Sequence, residues 1–466
     1  MKDKYKRLIR DMGVFALGVL GSKLITFLLL PLYTHVLTTD EYGVSDLVFT
    51  LGQLILPVIS LAIFNGLLRY GLMRENKPED VLNCATRVFF IGSIVAVCLT
   101  PLLRFVPSLS EWRWFLCAYV ISSFAVTNSL VYLKVKDKNN LYAIFSILQT
   151  VVLVVGNIVF LVVLSFGVRG FLLSYIISNF VTVIFAFIFG GMVKDLRVSK
   201  YRSDLIKSMI LFSLPYILND VSWWAIHSSN KLMIEFILGS AILGIYTTAS
   251  KIPSLINVVS SIFTQAWGLS SIKEYDSTGE SDFYSNVFYY FILVIFGACV
   301  CVVSVIKIFM KIYVSESFFV AWQYIPLLLL GAVFSAVSAF AGSLLGAMKK
   351  PQNLMWTTLV AGVINIALNL ILIPIIGLWG AAIGTLVANV VVAVFRLINV
   401  KKNLKVNYNL KRTVPIMVIV FVHAILVGLD FHIVIVSAIS ITLFLSIIYK
   451  DIIAIINMII KKRKSN

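Results

Sequence analysis

Stretches of polar chain long enough to fold by themselves are missing from this sequence. No segment between its apolar runs exceeds about twenty residues, which leaves no room for a soluble catalytic domain. Charge is scarce too: 13% of the residues are Asp, Glu, Lys or Arg, against roughly 25% in a soluble domain. Only four histidines occur, and His35, His227, His423 and His432 are too scattered for a metal site. Neither a phosphate-binding glycine loop nor a nucleophile elbow is present. No metal, no other cofactor and no enzymatic activity are therefore expected. The five cysteines (Cys84, Cys98, Cys117, Cys299 and Cys301) lie in or beside apolar runs without metal-ligand spacing. They read as small buried hydrophobes.

What fills the chain is apolar. Hydrophobic residues make up 60% of its 466 positions, and the mean hydropathy is +0.98. No soluble core hides that much apolar surface, so lipid must solvate it. Apolar runs near 12–33, 43–66, 85–103, 114–133, 141–165, 170–193, 208–236, 241–268, 286–306, 320–347, 354–375, 379–399, 413–429 and 432–449 each approach a bilayer-spanning length. The expected fold is thus an all-α polytopic membrane protein with about fourteen transmembrane helices. Twelve is the alternative count, since the last two runs are the weakest. Ile452–Ile460 reads as a cytoplasmic extension of the last helix. The basic head precedes an apolar run with no small-residue cleavage site, so it reads as a retained first span rather than a signal peptide.

A net charge of +18 could point to nucleic acid, but the basic residues do not form one stripe. They cluster between apolar spans, in the head Lys2–Arg10, in Arg69–Lys77, Lys134–Lys138, Lys194–Lys207, Lys349–Lys350 and Arg396–Arg412, and in the tail Lys461–Lys464. These clusters recur at every second loop, as inner loops do under the positive-inside rule. Five basic residues (Arg104, Arg113, Arg169, Lys307 and Lys311) fall on the outer side. Both termini are accordingly expected in the cytoplasm, and membrane lipids rather than nucleic acid are the expected surroundings.

The two halves of the chain resemble each other. Gly167-Val168-Arg169-Gly170, followed by Asn179, matches Gly377-Leu378-Trp379-Gly380, followed by Asn389, at an offset of 210 residues. Asn140-Leu141 and Asn353-Leu354 match at an offset of 213, and Gly43 of Glu41-Tyr42-Gly43 matches Gly244 of Leu243-Gly244-Ile245-Tyr246 at 201. Three matches in one order imply a parallel repeat of six spans per half. The expected division is 1–200 (spans 1–6), 201–405 (spans 7–12) and 406–466 (two further helices and a basic tail). The two six-helix lobes are expected to surround a central cavity.

Three lysines, Lys23, Lys231 and Lys251, lie inside apolar spans. A charge near the bilayer centre costs at least ~2.5 kcal/mol and normally faces a cavity or an opposite charge. In the seventh span Asp220, Trp224, His227 and Lys231 step by four, three and four residues and so share one helix face. Glu235 extends that face. Asp46 and Gln53 are the polar positions of the second span. Lys23, Lys231, Lys251 and Arg69 are the candidate cationic contacts for an anionic cargo. Asp46, Gln53, Asp220, His227 and Glu235 are candidate coupling or cavity-lining groups, and Trp223 and Trp224 are candidate sugar-stacking rings. Plainer roles compete: Lys231 paired with Glu235 four residues on, Lys23 paired with Asp46, His227 as a satisfied core imidazole, the tryptophans as packing or interfacial residues, Arg69 as a topology anchor, and Glu41 and Asp46 as solvated outer-surface acids.

These residues resemble bacterial polysaccharide flippases of the Wzx type, within the multidrug/oligosaccharidyl-lipid/polysaccharide exporter superfamily. Leu20-Gly21-Ser22-Lys23, Leu30-Pro31-Leu32-Tyr33-Thr34, Leu37 and Glu41-Tyr42-Gly43 look like that family's first span and outer turn. Leu214-Pro215-Tyr216 through Trp223-Trp224 looks like its seventh, and Asn230-Lys231-Leu232-Met233-Ile234 with Leu243-Gly244-Ile245-Tyr246 like the following turn. The family usually has Asp-Arg where this chain has Asn230-Lys231, so the cation is kept and the acid lost. The resemblance implies a translocator of undecaprenyl-diphosphate-linked oligosaccharide repeat units, in a bacterial plasma membrane, with a polysaccharide polymerase and chain-length machinery as partners. Alternatives within the superfamily are a cation-coupled multidrug or metabolite exporter and a peptidoglycan lipid-precursor flippase. A pump for cationic drugs would favour acidic cavity groups; three lysines favour an anionic cargo.

Overall fold

Every regular element among the described residues is helical. The computed structural model describes residues 27–277, 281–348, 351–404 and 406–463. In hydrocarbon an unpaired backbone N–H or C=O costs several kcal/mol, and a helix satisfies both within one segment. The helices are α1 (Leu30–Val36), α2 (Thr39–Ile59), α3 (Ile63–Gly71), α4 (Pro78–Leu99), α5 (Arg113–Val135), α6 (Asn139–Asn157), α7 (Gly167–Phe189), α8 (Met192–Val198), α9 (Ser203–Leu238), α10 (Ser240–Ser277), α11 (Ser281–Tyr313), α12 (Ile325–Ala347), α13 (Pro351–Ile376), α14 (Leu378–Asn403), α15 (Leu410–Gly428) and α16 (Ile433–Arg463). Eleven segments, built on α2, α4–α7 and α10–α15, are long and apolar enough to cross a membrane. The chain is a multi-pass membrane protein. At 36 residues, α9 is about 54 Å long and is not one of the eleven. The shorter apolar helix Ile433–Tyr449 stands beside these eleven, and the first expected span, near 12–33, lies largely outside the described residues.

Three details differ from expectation. The second span is broken: α2 stops at Ile59, and Leu61 and Ala62 take left-handed φ of 49° and 47° before α3 begins. Pro57 has no N–H to continue the helical ladder. Ser60 bridges the gap, its hydroxyl accepting from the Ala62 N–H at 3.2 Å. Cys98 and Cys301 are exposed on their helices, not buried like Cys84, Cys117 and Cys299; a lipid-facing thiol is as tolerable as a buried one. Arg396, assigned above to an inner basic loop, lies inside α14 and is only 9% exposed.

Contacts gather the chain into two compact units, Leu32–Gly244 and Met1–Pro31 with Ile245–Asn466. The boundary drawn from the repeat at residues 200 and 201 cuts between α9 and the helices it packs on. In the first unit α9 runs alongside α2 and α3 in the opposite chain direction. Ser213 Oγ accepts from the Gly66 N–H at 3.1 Å, and the Trp224 indole N–H donates to the Thr50 carbonyl at 2.7 Å. Lipid tails are as apolar as leucine, so close packing rather than apolar burial holds such helices together. The tightest approach joins the first turns of α2 and α10. A Cβ on Gly43 would lie 1.8 Å from the Ser240 carbonyl oxygen, and one on Gly244 would lie 2.0 Å from that of Thr39. These are reciprocal contacts between positions matched at the 201-residue offset. On the loop side Lys136 ties α4 to α8. Its ammonium lies 2.7 Å from Glu79 and 3.4 Å from Asp195, which also accepts from the Tyr132 hydroxyl at 2.9 Å. Burial works against the Lys136 charge, but the hydrogen bond to Glu79 and the two carboxylates outweigh it and raise its pKa.

In the second unit α12 is buried along nearly its whole length. Aromatic stacking locks it: Trp267 lies on Phe340 at 4.8 Å, and Phe291 on the same ring at 5.5 Å. Phe27 stacks on Tyr313 at 4.9 Å. The repeat is visible in backbone geometry. Gly167 opens α7 with φ of 55°, and Gly377 precedes α14 with φ of 59°; both need the left-handed conformation that glycine adopts freely.

Candidate functional site

The polar face of α9 meets α2 at one ion pair. Lys231 Nζ lies 2.8 Å from Asp46 Oδ2 and 3.0 Å from Oδ1. Antiparallel packing of α2 and α9 sets this register: one contact pairs Trp224 with Thr50, and about two turns further along α9 Lys231 meets Asp46. The lysine side chain is 21% exposed and the aspartate 10%. Among the described residues Asp46 is the one hydrogen-bond and ion-pair partner of Lys231. An ammonium has three N–H donors, so this pairing leaves room on the more exposed side of the cation.

Glu235 does not take the i+4 partner expected of it. It is 5% exposed, its Oε1 accepts from the Ser240 hydroxyl at 2.9 Å, and its Oε2 has no hydrogen bond among the described residues. The side chain has turned to the corner between α9 and α10, where Ser240 supplies the donor. Asp46, weighed above as a solvated surface acid, is buried on α2. Glu41 serves locally: its carboxylate accepts from the Thr38 N–H at 2.8 Å while the Thr38 hydroxyl accepts from the Glu41 N–H at 3.2 Å. This capping box starts α2.

The other expected positions are dispersed. Arg69 is exposed in the last turn of α3, so the length of α2 and α3 separates it from Asp46. Gln53 is exposed on α2, and Asp220 is half-buried on α9, where it accepts from Asn219 at 3.2 Å. Lys251 is half-buried on α10, in the second unit. The Trp224 indole N–H is committed to the Thr50 carbonyl. Lys23 lies outside the described residues, as do the side chains of Trp223 and His227.

Two polar features escaped the sequence reading. On the same helix as Asp46, in the first unit, Phe49 joins a wall of rings that is buried at Tyr33 and Phe171 and half-buried elsewhere, with Phe49 against Tyr119 at 4.7 Å and Tyr175 at 4.4 Å, and Tyr33 against Phe171 at 4.7 Å. Asn157 donates to the Tyr33 hydroxyl at 3.0 Å. A lone Asn inside an apolar run was the available signal. In the second unit the Arg396 guanidinium is caged by neutral oxygens. It donates to Ser338 O and Oγ at 3.1 and 3.2 Å, to Thr357 Oγ1 at 3.2 Å and to Thr358 Oγ1 at 2.8 Å. No carboxylate pairs with it among the described residues. No group of three or more His, Cys, Asp or Glu suited to a metal ion occurs among the described residues.

Comparison with known proteins places this architecture. Residues 8–268 match the model of a family described as polysaccharide biosynthesis protein. No curated protein matches the chain in sequence. Among solved structures, the lipid II flippase MurJ in an inward closed conformation is similar, with a TM-score of 0.70 and 14% identity over 94% of this chain and 99% of that one. So is an inward-facing multidrug resistance MATE family transporter of the MOP superfamily, with a TM-score of 0.66 and 17% identity over 84% of this chain and 99% of that one. A MOP superfamily transporter from Pyrococcus furiosus, whose binding pocket is described as of reverse polarity, aligns with a TM-score of 0.56 and 16% identity over 86% of this chain and 95% of that one. Identities this low establish a shared transporter fold.

Proposed function

This chain belongs to the polysaccharide biosynthesis protein family, and from that premise we propose that it is a flippase for lipid-linked oligosaccharides. It moves undecaprenyl-diphosphate-linked repeat units from the cytoplasmic to the outer leaflet of a bacterial plasma membrane, by alternating access and without chemistry of its own. The observation that carries this reading is Lys231: a cation on the polar face of α9, paired with Asp46 on α2 and still 21% exposed. An intramembrane ionisable group normally marks a substrate path, and a diphosphate-sugar headgroup is anionic and polar. Lys23 and Lys251 are the other intramembrane lysines and are tested beside it. Both termini lie in the cytoplasm, as the basic inner loops require, and a polysaccharide polymerase with its chain-length machinery receives the product. The division into 1–200, 201–405 and 406–466 describes the units of the internal repeat.

A cation-coupled exporter of the same superfamily is the second reading. The buried carboxylate of Glu235, with one oxygen unbonded among the described residues, is the observation in its favour.

The test is a strain lacking this protein. Lipid-linked oligosaccharide should accumulate in it, inaccessible to an impermeant oxidant of sugar diols. Wild-type complementation should clear the accumulation, whereas Lys231→Gln and Lys23→Ala at matched protein levels should not. Absence of accumulation, with altered sensitivity to cationic drugs instead, would move the assignment to the exporter.

A further inference from the structure

The ammonium assigned to the cargo is already engaged. Both carboxylate oxygens of Asp46 lie within 3.0 Å of Lys231 Nζ, and the two side chains stand on packed helices. We infer that Asp46 is a built-in competitor of the anionic cargo, a carboxylate that occupies Lys231 between transport events and is displaced by the diphosphate. This rests on the flippase reading and adds to it how the same site is emptied.

Three observations support the inference. First, the pair is asymmetric, since Lys231 is twice as exposed as Asp46. An entering anion therefore meets the ammonium first, with the carboxylate behind it. Lysine is a point charge with three donors, so a phosphate oxygen can engage the third N–H before Asp46 lets go. Second, Asp46 has little freedom to retreat. Its helix is fixed about two turns earlier by the Thr38–Glu41 capping box and one turn earlier by the Gly43 contact with Ser240. Third, Glu235, the other carboxylate within a turn of Lys231 on α9, is occupied with Ser240. A displaced Asp46 gives up the Lys231 ion pair inside a largely buried site, and the attraction of the opposite charges draws it back toward the ammonium. That return weakens the hold on the cargo. A free lysine would bind a diphosphate tightly and release it slowly; a lysine with a resident carboxylate binds less tightly and lets go.

The experiment uses the full-length chain in detergent and a short isoprenyl diphosphate as probe, with binding read by titration calorimetry. Asp46→Asn and Asp46→Ser are compared with wild type, Asp46→Glu, Lys231→Gln and the double variant Asp46→Asn/Lys231→Gln. The inference expects at least tenfold tighter binding in Asp46→Asn, near-wild-type affinity in Asp46→Glu, and loss of binding in both variants lacking Lys231. It further expects slower clearance of lipid-linked oligosaccharide by Asp46→Asn in cells. The serine variant carries the same expectation should the asparagine variant not fold. If the neutral variants bind as wild type does, or more weakly, while Lys231→Gln loses binding, the competitor role is wrong and the flippase reading stands. If neither wild type nor the neutral variants bind the probe, the flippase reading falls and the inference with it.

Discussion

Arginine and lysine divide the buried positive charge of this protein by what each can reach. Arg396 spreads its guanidinium over Ser338, Thr357 and Thr358 on two neighbouring helices, a geometry that needs a planar fork of donors. Lys231 presents a single rotatable ammonium to one carboxylate, a geometry open to exchange. The first is a fixture of the packing and the second a contact that can be remade. Arg396→Lys keeps the charge but satisfies fewer of those oxygens. It should lower stability by about 2 kcal/mol, seen as an earlier thermal unfolding midpoint of the detergent-solubilised chain, with Lys231-dependent binding unchanged. The reading of Lys231 itself was half legible. Its place on a polar helix face follows from a spacing of four, three and four. Its partner does not: Glu235 is four residues away in sequence, yet Asp46, 185 positions distant, holds the ammonium.

Helices in lipid approach closely only where side chains are small, and α2 and α10 do so at Gly43 and Gly244. The two glycines are equivalents in the repeat, and each faces the backbone four residues before the other. Gly43→Val would set a Cβ 1.8 Å from the Ser240 oxygen. It should cost about 3 kcal/mol or more and deplete folded protein in fluorescence-detected size exclusion. Gly346→Ala is the control; nothing lies within 4 Å of its added carbon, and its folded yield should not fall. The repeat that exposes these glycines is visible in sequence, but their mutual contact is not, because an offset of 201 residues says that two positions are alike, not that they touch. The break at Leu61 and Ala62 was hidden for another reason. Its residues are apolar, so the hydropathy runs through it; only Pro57 hinted at an interruption.

Across the whole molecule, orientation follows from where cations are placed. Charges beside the spans alternate between basic and nearly neutral loops, and inner loops keep lysine and arginine. In intact cells, with the native cysteines replaced, a cysteine at Glu111 should react with an impermeant maleimide. One at Asp204 should react only after permeabilisation. Labelling of both from outside would overturn the orientation. Membership of the polysaccharide biosynthesis family and likeness to MOP superfamily transporters agree with the fold read from hydropathy.

The sequence by itself determined that the chain is helical, spans a membrane many times, repeats internally and keeps a few cations in its spans. Each of these is a property of local composition or of comparison along the chain, because lipid dictates apolar length and closed backbone hydrogen bonding segment by segment. Tertiary structure alone decided that α9 packs on α2 and α3, that Asp46 rather than Glu235 pairs with Lys231, and that Arg396 is caged rather than looped. Those outcomes depend on helix register and crossing, set by where small residues let backbones meet, and a one-dimensional pattern does not carry them.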